Sequence, residues 1–151
     1  MAPLTVRLEH LAGMEGTDLG RTGFRALGQS QIDSFADLTD DHQWIHSDSE
    51  PARSGPFGGP IAQGFLTLAL LTPLSEELLH VQGVGSRINY GLDRVRFTSA
   101  VAAGASIRLH AVIDEVAAVD GGVQVTTANE IELEGQERPA LVARFIRRFL
   151  A

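Results

Sequence analysis

An apolar segment at residues 61–81 is the feature that most constrains how this chain folds. It carries no charged residue before Glu76, so apolar side chains would occupy nearly every face of a helix built from it. A helix that is apolar all round must be buried, and the rest of the chain then has to cover it. Pro73 predicts a kink or a register break in this helix. We therefore expect one long central helix with an interruption near Pro73.

The second half of the chain has the pattern of β-strands. Residues 94–97 and 106–112 alternate polar and apolar side chains with the period of two that is typical of strands. Residues 120–122 (Asp-Gly-Gly) predict a hairpin turn, and residues 134–137 predict a second turn before a final strand. A long buried helix followed by an antiparallel meander predicts an α+β fold, with a curved sheet wrapped around the helix.

Shorter elements are expected before the central helix. Ser30 and Asp33 have the spacing of a capping box, and the following residues predict a short amphipathic helix. The polar residues 39–43 should end it. A second helix is expected to begin near residue 48, with Asp48 as its cap and Pro51 in its first turn.

Composition excludes several functional classes. A chain of 151 residues is expected to form one domain, spanning residues 1–151. The net charge of −7 argues against binding to nucleic acid or to an anionic membrane surface. Without cysteine or lysine there is no thiolate chemistry, no Schiff base and no Walker-type phosphate loop. We find no signal peptide or membrane-spanning segment and expect a cytoplasmic protein.

Two polar segments carry the candidate chemistry. Residues 40–46 (Asp-Asp-His-Gln-Trp-Ile-His) combine carboxylates and imidazoles, which suit general acid–base catalysis. Residues 58–65 form a glycine-containing loop at the start of the buried helix, where backbone N–H groups lack helical partners. Gly64 would let a substrate carbonyl approach such an N–H. Together the two segments suit a reaction that builds negative charge on a carbonyl oxygen.

These residues resemble a known family signature. Residues 35–46 (FADLTDDHQWIH), 55–58 (GPFG) and 60–64 (PIAQG), with the later segments 93–97 (DRVRF) and 101–104 (VAAG), are similar to the MaoC-like or R-specific enoyl-CoA hydratase family. The amino-acid sequence of residues 41–46 is most similar to the nodulation-protein-N-like branch of that family.

The resemblance implies a hot-dog fold and a reversible syn addition of water to a trans-2-enoyl-CoA, giving the (R)-3-hydroxyacyl-CoA. Asp41 and His46 would hold and activate the water, and the Gly64 amide would bind the thioester oxygen. The resemblance further implies a homodimer with its active site near the interface. No cofactor is expected, since the coenzyme A or carrier-protein thioester is the substrate. The expected substrate-binding residues are Gln43, Phe57, Ile61 and Gln63.

Some positions depart from the family pattern, and other functions remain open. Gln63 replaces a family histidine, and a helper serine expected near Ala69 is missing. A hot-dog thioesterase is one alternative, although those enzymes usually place an acidic residue on the long helix. A non-catalytic acyl-binding protein is another. His42 and His46, four residues apart, could share a metal ion, but no third ligand is evident.

Overall fold

The computed structural model describes residues 2–151. Its long strands lie in the second half of the chain, as the alternation predicts, and its helices are short. The α-helices are α1 (Gln29–Thr39), α2 (Glu50–Ser54), α3 (Gly64–Ala69) and α4 (Leu71–Glu76), with 3₁₀ turns at Leu8–His10 and Trp44–His46. The strands are β1 (Leu4–Arg7), β2 (Asp18–Arg21), β3 (Arg25–Ala26), β4 (Leu79–Gln82), β5 (Ser86–Phe97), β6 (Ser106–Val119), β7 (Gly122–Leu133) and β8 (Leu141–Leu150).

The main sheet is antiparallel and has the strand order β2-β6-β7-β8-β5, with β3 also paired to β6. The hairpin predicted at residues 120–122 is confirmed, because Val119 pairs with Gly122 across it. Gly121 has a φ of +74°, which glycine adopts without the steric cost that a side chain would add. The turn predicted at residues 134–137 leads into β8, also as expected.

The central helical segment does not extend over the whole of the predicted range, residues 61–81. The segment contains two short helices, α3 and α4, separated at Leu70, and it ends in strand β4. The break predicted from Pro73 is confirmed and falls three residues before it. Proline has no N–H to donate to the Ala69 carbonyl, so a new helix begins at Leu71 and Pro73 lies in its first turn.

Strand β4 pairs in parallel with β1, from Leu4 opposite Leu79 to Arg7 opposite Gln82. Neither strand is expected from the sequence, because an alternation of only four residues is too short to predict a strand. The parallel pair ties the N-terminal segment to the end of the central helical segment.

The helix starts differ slightly from the predictions. Helix α1 begins after Gly28, and the Gln31 side chain, not Asp33, accepts a hydrogen bond from the Gly28 N–H at 3.0 Å. Helix α2 begins after Ser49 and not after Asp48, so Pro51 is its second residue. The two residues that precede these helices, Gly28 and Ser49, both have the extended backbone that an N-cap requires.

The core lies between the sheet and the α3–α4 segment. Inward-facing side chains of β6, β7 and β8 alternate with outward-facing ones, as the burial of Ile107, Leu109 and Ile113 on β6 shows. Leu71 and Leu74 of α4 pack into the same cluster. The helical segment is not buried all round, however. Phe65 is 70% exposed, so one flank of α3 faces outward.

Candidate active site

A tight turn after α1 places Asp41 at the mouth of a cleft. Helix α1 ends at Thr39, and Asp40 adopts a left-handed conformation with φ +58°. Aspartate tolerates this region better than most residues with a side chain. The turn is closed by the Asp41 N–H, which donates to the Ala36 carbonyl at 3.1 Å. The Asp41 side chain remains 46% exposed and can therefore reach solvent or substrate.

His46 lies at the end of the 3₁₀ turn and is almost completely buried. Its Nδ1 lies 2.7 Å from the carbonyl oxygen of Ile61. A carbonyl can only accept a hydrogen bond, so Nδ1 carries the proton in this contact. In the neutral ring, Nε2 is then left as an acceptor. It lies 3.8 Å from Oδ2 of Asp41. The Ile61 carbonyl thus determines which imidazole nitrogen faces the carboxylate.

The segment that supplies this carbonyl is fixed from both sides. The Ile61 N–H donates to the Ile45 carbonyl at 2.9 Å, next to His46. The Ala62 N–H donates to the Val101 carbonyl at 2.8 Å, and the Ala103 N–H donates to Pro60 at 2.9 Å. These bonds hold residues 60–62 between the 3₁₀ turn and the segment after β5. The orientation of His46 therefore depends on contacts among the 3₁₀ turn, residues 60–62 and residues 101–103, which are distant from one another in sequence.

Gly64 is the first residue of α3, so its N–H has no acceptor within the helix. A Cβ at this position would lie 3.0 Å from the ring of Phe97, closer than ordinary van der Waals contact. The absence of a side chain thus lets Phe97 pack directly over the helix start. Gly64 and His46 line the same cleft of about 350 Å³.

His46 borders two clefts, and the expected site residues divide between them. The larger one is lined by His46, Gly64, Phe57 and Ile61, together with Thr67, Phe97 and residues 98–101. The smaller one, of about 230 Å³, is lined by Asp41, Gln43 and His46, among others. Five of the seven expected residues therefore lie around the buried imidazole of the sixth, His46.

Gln63 is placed differently from the other six. Its side chain is 2% exposed, and its Nε2 donates to the Ile32 carbonyl of α1 at 3.1 Å. It lines neither of the two clefts. The amide thus joins the start of α3 to α1.

Sequence reasoning did not single out Thr67 and Phe97 as residues of the cleft. Thr67 is 2% exposed, and its hydroxyl donates to the Gln63 carbonyl at 3.4 Å. Its spacing of one helical turn from Gly64 could have indicated that it faces the same side. Phe97 ends β5, and its approach to Gly64 had no local sequence signal because 33 positions separate them.

Potential metal ligands occur away from this site. Within residues 2–151, His110, Glu130 and Glu132 have ligand atoms within 4.8 Å of one another, on β6 and β7. This group includes neither His42 nor His46. Arg108 and Arg21 donate to the Glu132 carboxylate at 2.6 and 2.8 Å. Burial raises the pKa of Glu132, but these two hydrogen bonds outweigh it and hold the pKa below its usual value. A carboxylate already paired with two cations is a poor metal ligand.

The fold and the cleft define a hot-dog protein with a paired carboxylate and imidazole beside a helix N-terminus. The family model described as "MaoC like domain" matches residues 11–134. The chain is 43% identical over 142 residues to 3-hydroxyacyl-thioester dehydratase Z of Mycobacterium tuberculosis, covering 93% of this chain and 94% of that protein. It is 42% identical over 134 residues to Nodulation protein N of Rhizobium leguminosarum bv. viciae, covering 87% and 83%.

Among solved structures, the (R)-hydratase from A. caviae involved in PHA biosynthesis has a TM-score of 0.75 at 20% identity, covering 92% of this chain and 98% of that one. The Archaeoglobus structure titled Monoamine oxidase regulatory protein has a TM-score of 0.78 at 24% identity, covering 99% and 98%. The chain therefore belongs to the MaoC-like family and is a hydro-lyase of the hydratase/dehydratase type. No helix among residues 2–151 is long and apolar enough to cross a membrane.

Proposed function

We propose that this hydro-lyase catalyses the reversible syn addition of water to a trans-2-enoyl-CoA, giving the (R)-3-hydroxyacyl-CoA in fatty-acyl metabolism, with Asp41, His46 and Gly64 as its catalytic residues. The observation that carries this proposal is the orientation of His46 by the Ile61 carbonyl, which turns Nε2 toward the Asp41 carboxylate. The relative named as a 3-hydroxyacyl-thioester dehydratase supports the same thioester class, with the reaction written in the reverse direction.

Two hydrogen-bond acceptors that face each other suit a water molecule. With Nδ1 protonated, neutral His46 offers only a lone pair at Nε2, and an ionised Asp41 offers only acceptor oxygens. The 3.8 Å between them is too long for a direct hydrogen bond. A water molecule about 2.8 Å from both His46 Nε2 and Asp41 Oδ2 can donate one O–H to each of these two atoms. Its lone pairs then remain free to attack carbon.

The hydration steps balance on this arrangement. The water oxygen bonds to C3 of the enoyl group while its proton moves to Asp41 or His46, and the C2–C3 π electrons move toward the thioester carbonyl. The Gly64 N–H donates to that carbonyl oxygen as negative charge develops. C2 then takes a proton from the same pair, and the carbonyl re-forms. Because one pair on one face of the substrate handles both protons, the addition is syn.

Three of the remaining expected residues would contact the substrate around this centre. Phe57 and Ile61 line the cleft that contains Gly64 and offer apolar surface to the acyl chain or to the pantetheine arm. Gln43 lies in the cleft of Asp41 and could hydrogen-bond a polar group there. For Gln63 we propose an indirect role, in which its bond to Ile32 fixes the start of α3 and hence the Gly64 N–H.

We also propose that the enzyme is a homodimer formed along β5. This twelve-residue strand ends the main sheet, and in the part of the chain described no strand pairs with its outer edge. Ile88, Tyr90 and Leu92 on this strand are each at least 40% exposed. A long edge with apolar side chains favours pairing with another strand, and a second copy offers the same edge. Phe97 ends this strand and lines the cleft, so the active site would border the interface.

Two simultaneous assays of the purified protein with trans-2-enoyl-CoA test the proposed activity. Loss of enoyl-thioester absorbance without release of free thiol supports hydration. Release of thiol would instead indicate a thioesterase, and absence of both changes would indicate a non-catalytic acyl-binding protein. Stereospecific analysis of the product then distinguishes the (R) from the (S) alcohol. The same assay with an enoyl carrier-protein thioester identifies the preferred carrier.

A further inference from the structure

Arg147 is the unusual residue on the inner face of the sheet. It lies on β8, where residues alternate between buried and half-buried positions, and it occupies a buried position between Phe145 and Phe149. Its side chain is only 4% exposed. Buried arginines are rare unless they are paired, because removing a charge from water is costly. This residue takes no part in the hydration chemistry proposed above.

The guanidinium group is only partly paired. Nη1 lies 3.4 Å from Oε1 of Glu76, at the end of α4. Nε and Nη2 are buried and donate to nothing among residues 2–151. The rings of Phe145 and Phe149 lie 5.6 and 5.3 Å from the guanidinium carbon, but their π faces do not replace a hydrogen-bond acceptor. Burial lowers the pKa of Arg147 to about 10, so the group stays charged near neutral pH.

The charges around Arg147 do not balance. Glu76 also accepts a hydrogen bond from Nη1 of Arg87 at 2.6 Å. Two arginines therefore share one carboxylate, and the cluster carries a net positive charge in a protein whose formal charge is −7.

The unpaired Nε and Nη2 of Arg147 form one edge of the guanidinium plane. That edge presents two parallel N–H groups, the geometry that binds a carboxylate through both of its oxygens.

An apolar cavity of about 310 Å³ lies next to this part of the sheet, lined by two neighbours of Arg147 but not by Arg147 itself. Phe65, Leu68, Leu92 and Phe145 line it, and its polar residues are Thr72 and Asn89, which hydrogen-bond each other at 3.0 Å. Asn89 is directly opposite Arg147 in the sheet, and Phe145 precedes Arg147 by two positions on the same face. The guanidinium group of Arg147 is therefore adjacent to two residues that line an apolar cavity.

The cavity adjoins the proposed active site through a pair of aromatic rings. Phe65 lines the cavity, and its ring packs edge-on against Phe97, with centroids 6.1 Å apart. Phe97 in turn packs over Gly64, the proposed donor to the thioester oxygen. Gly64 begins α3 and Glu76 ends α4, so the two short helices separate the Gly64 N–H from the partner of Arg147. A ligand that spans both places must therefore have a long body.

We propose that Arg147 binds a carboxylate at the far end of the acyl group, so that the preferred substrates are long enoyl thioesters with an apolar body and a terminal carboxylate. This inference rests on the proposed hydratase function and adds its substrate class. The acyl body occupies the cavity lined by Phe65 and Phe145, and Phe65 and Phe97 shift to let it pass. The Nε–Nη2 edge of Arg147 receives the carboxylate, which offsets the excess positive charge.

The test compares trans-2-enoyl-CoA substrates of increasing length, each with a methyl end and with a carboxyl end. At the longer lengths, wild-type kcat/KM should favour the carboxyl-ended substrate by about 10- to 100-fold, the range expected of hydrogen bonds to a charged group. Arg147→Met should abolish that preference and leave hydration of the methyl-ended substrates intact. Equal kcat/KM for both ends at every length, or a preference that survives in Arg147→Met, would overturn the proposal.

Arg148→Met is the matched control, because Arg148 is the next residue on β8 but lies on the outer face, where it stacks on Tyr90 and bonds Gln124. It should keep the wild-type preference. If Arg147→Met does not fold, Arg147→Lys is the second variant. It retains the positive charge but loses the parallel Nε–H and Nη2–H donors, so it should weaken the preference for the carboxyl-ended substrate.

Direct binding separates this inference from the proposed reaction. The probes are saturated acyl-CoA thioesters, which cannot be hydrated, with methyl or carboxyl ends. Calorimetry should show tighter binding of the carboxyl-ended probe to the wild type and equal binding to Arg147→Met. That result would hold even if the enoyl assay detected no hydration. Equal binding to the wild type would refute the carboxylate site, whatever the outcome of the hydration assay.

Discussion

His46 Nδ1 lies 2.7 Å from the main-chain carbonyl oxygen of Ile61, and this contact leaves Nε2 facing Asp41. His46 of the proposed acid–base pair is therefore oriented by the backbone of the glycine-containing loop, 15 positions further along the chain. Because His46 is buried, its replacement affects both the reaction and the fold. Asp41 is half-exposed and should affect the reaction alone.

Asp41→Asn should lower kcat/KM for hydration by roughly 10²- to 10⁴-fold, the usual contribution of a positioned acid or base, with little change in melting temperature. His46→Gln should lower kcat/KM similarly and also destabilise the protein, because the buried Ile61 carbonyl loses its donor. If both residues hold one water, the double variant should be barely worse than either single variant. Near-normal activity in a folded single variant would remove that residue from the mechanism.

Gly64→Ala should lower kcat/KM for steric reasons, since its Cβ would lie 3.0 Å from the Phe97 ring. Displacing that ring or the start of α3 would misalign the Gly64 N–H, and one lost oxyanion donor costs about 10²- to 10³-fold. Phe97→Leu in the Gly64→Ala background should restore part of the activity by making room. Loss of activity without any recovery in the double variant would contradict this steric explanation.

Gln63→Ala should lower the melting temperature, because it removes a buried hydrogen bond that joins α1 to the start of α3. Since the Gln63 side chain lines neither cleft, we expect a much smaller loss of kcat/KM than for Asp41→Asn. Gln63→His, which restores the commoner family residue, is the companion variant and should keep measurable hydration. A large fall in kcat/KM for Gln63→Ala at an unchanged melting temperature would instead indicate direct contact with substrate.

Glu132 should contribute stability that depends on pH. Its folded pKa is held below the usual value by Arg108 and Arg21, so its stabilising effect is present above the unfolded pKa and is lost as the pH falls. The difference in free energy of unfolding between wild type and Glu132→Gln should therefore shrink from about pH 7 to about pH 3. Urea denaturation at several pH values measures it. Glu130→Gln, at an exposed position on the same strand, is the control for the substitution itself.

Light scattering should give a mass of twice 16.2 kDa for the wild type. Ile88→Asp places a charge on the apolar edge strand β5 and should shift the protein toward monomers, with reduced hydration because the cleft borders that edge. Leu38→Asp changes a leucine that is 83% exposed on α1, and it should stay dimeric. A fully active wild-type monomer at micromolar concentration would refute the dimer.

The sequence determined the fold class and indicated the residues that we propose as the acid–base pair. Period-two alternation after residue 86 and turn residues at 120–122 specify antiparallel strands through local preferences, and the apolar segment before them has to be buried by the sheet. Of these strands, β6, β7 and β8 form a meander as expected, whereas β5 pairs with β8 and not with the next strand in sequence. Pro73 likewise acts locally, since a missing N–H interrupts a helix wherever it occurs. Asp41, His46 and Gly64 could be singled out because their spacing and neighbours form a recognisable pattern within a short stretch of chain.

Only the tertiary structure decided how those residues are oriented and what surrounds them. The proton position on His46 depends on the Ile61 carbonyl, the packing over Gly64 depends on Phe97, and the incomplete pairing of Arg147 depends on Glu76. Strands β1 and β4 pair with each other across 75 positions of sequence, and neither carries a strong strand pattern of its own. Such contacts join distant segments and follow from how the sheet closes on the helices, so no local preference of the chain encodes them.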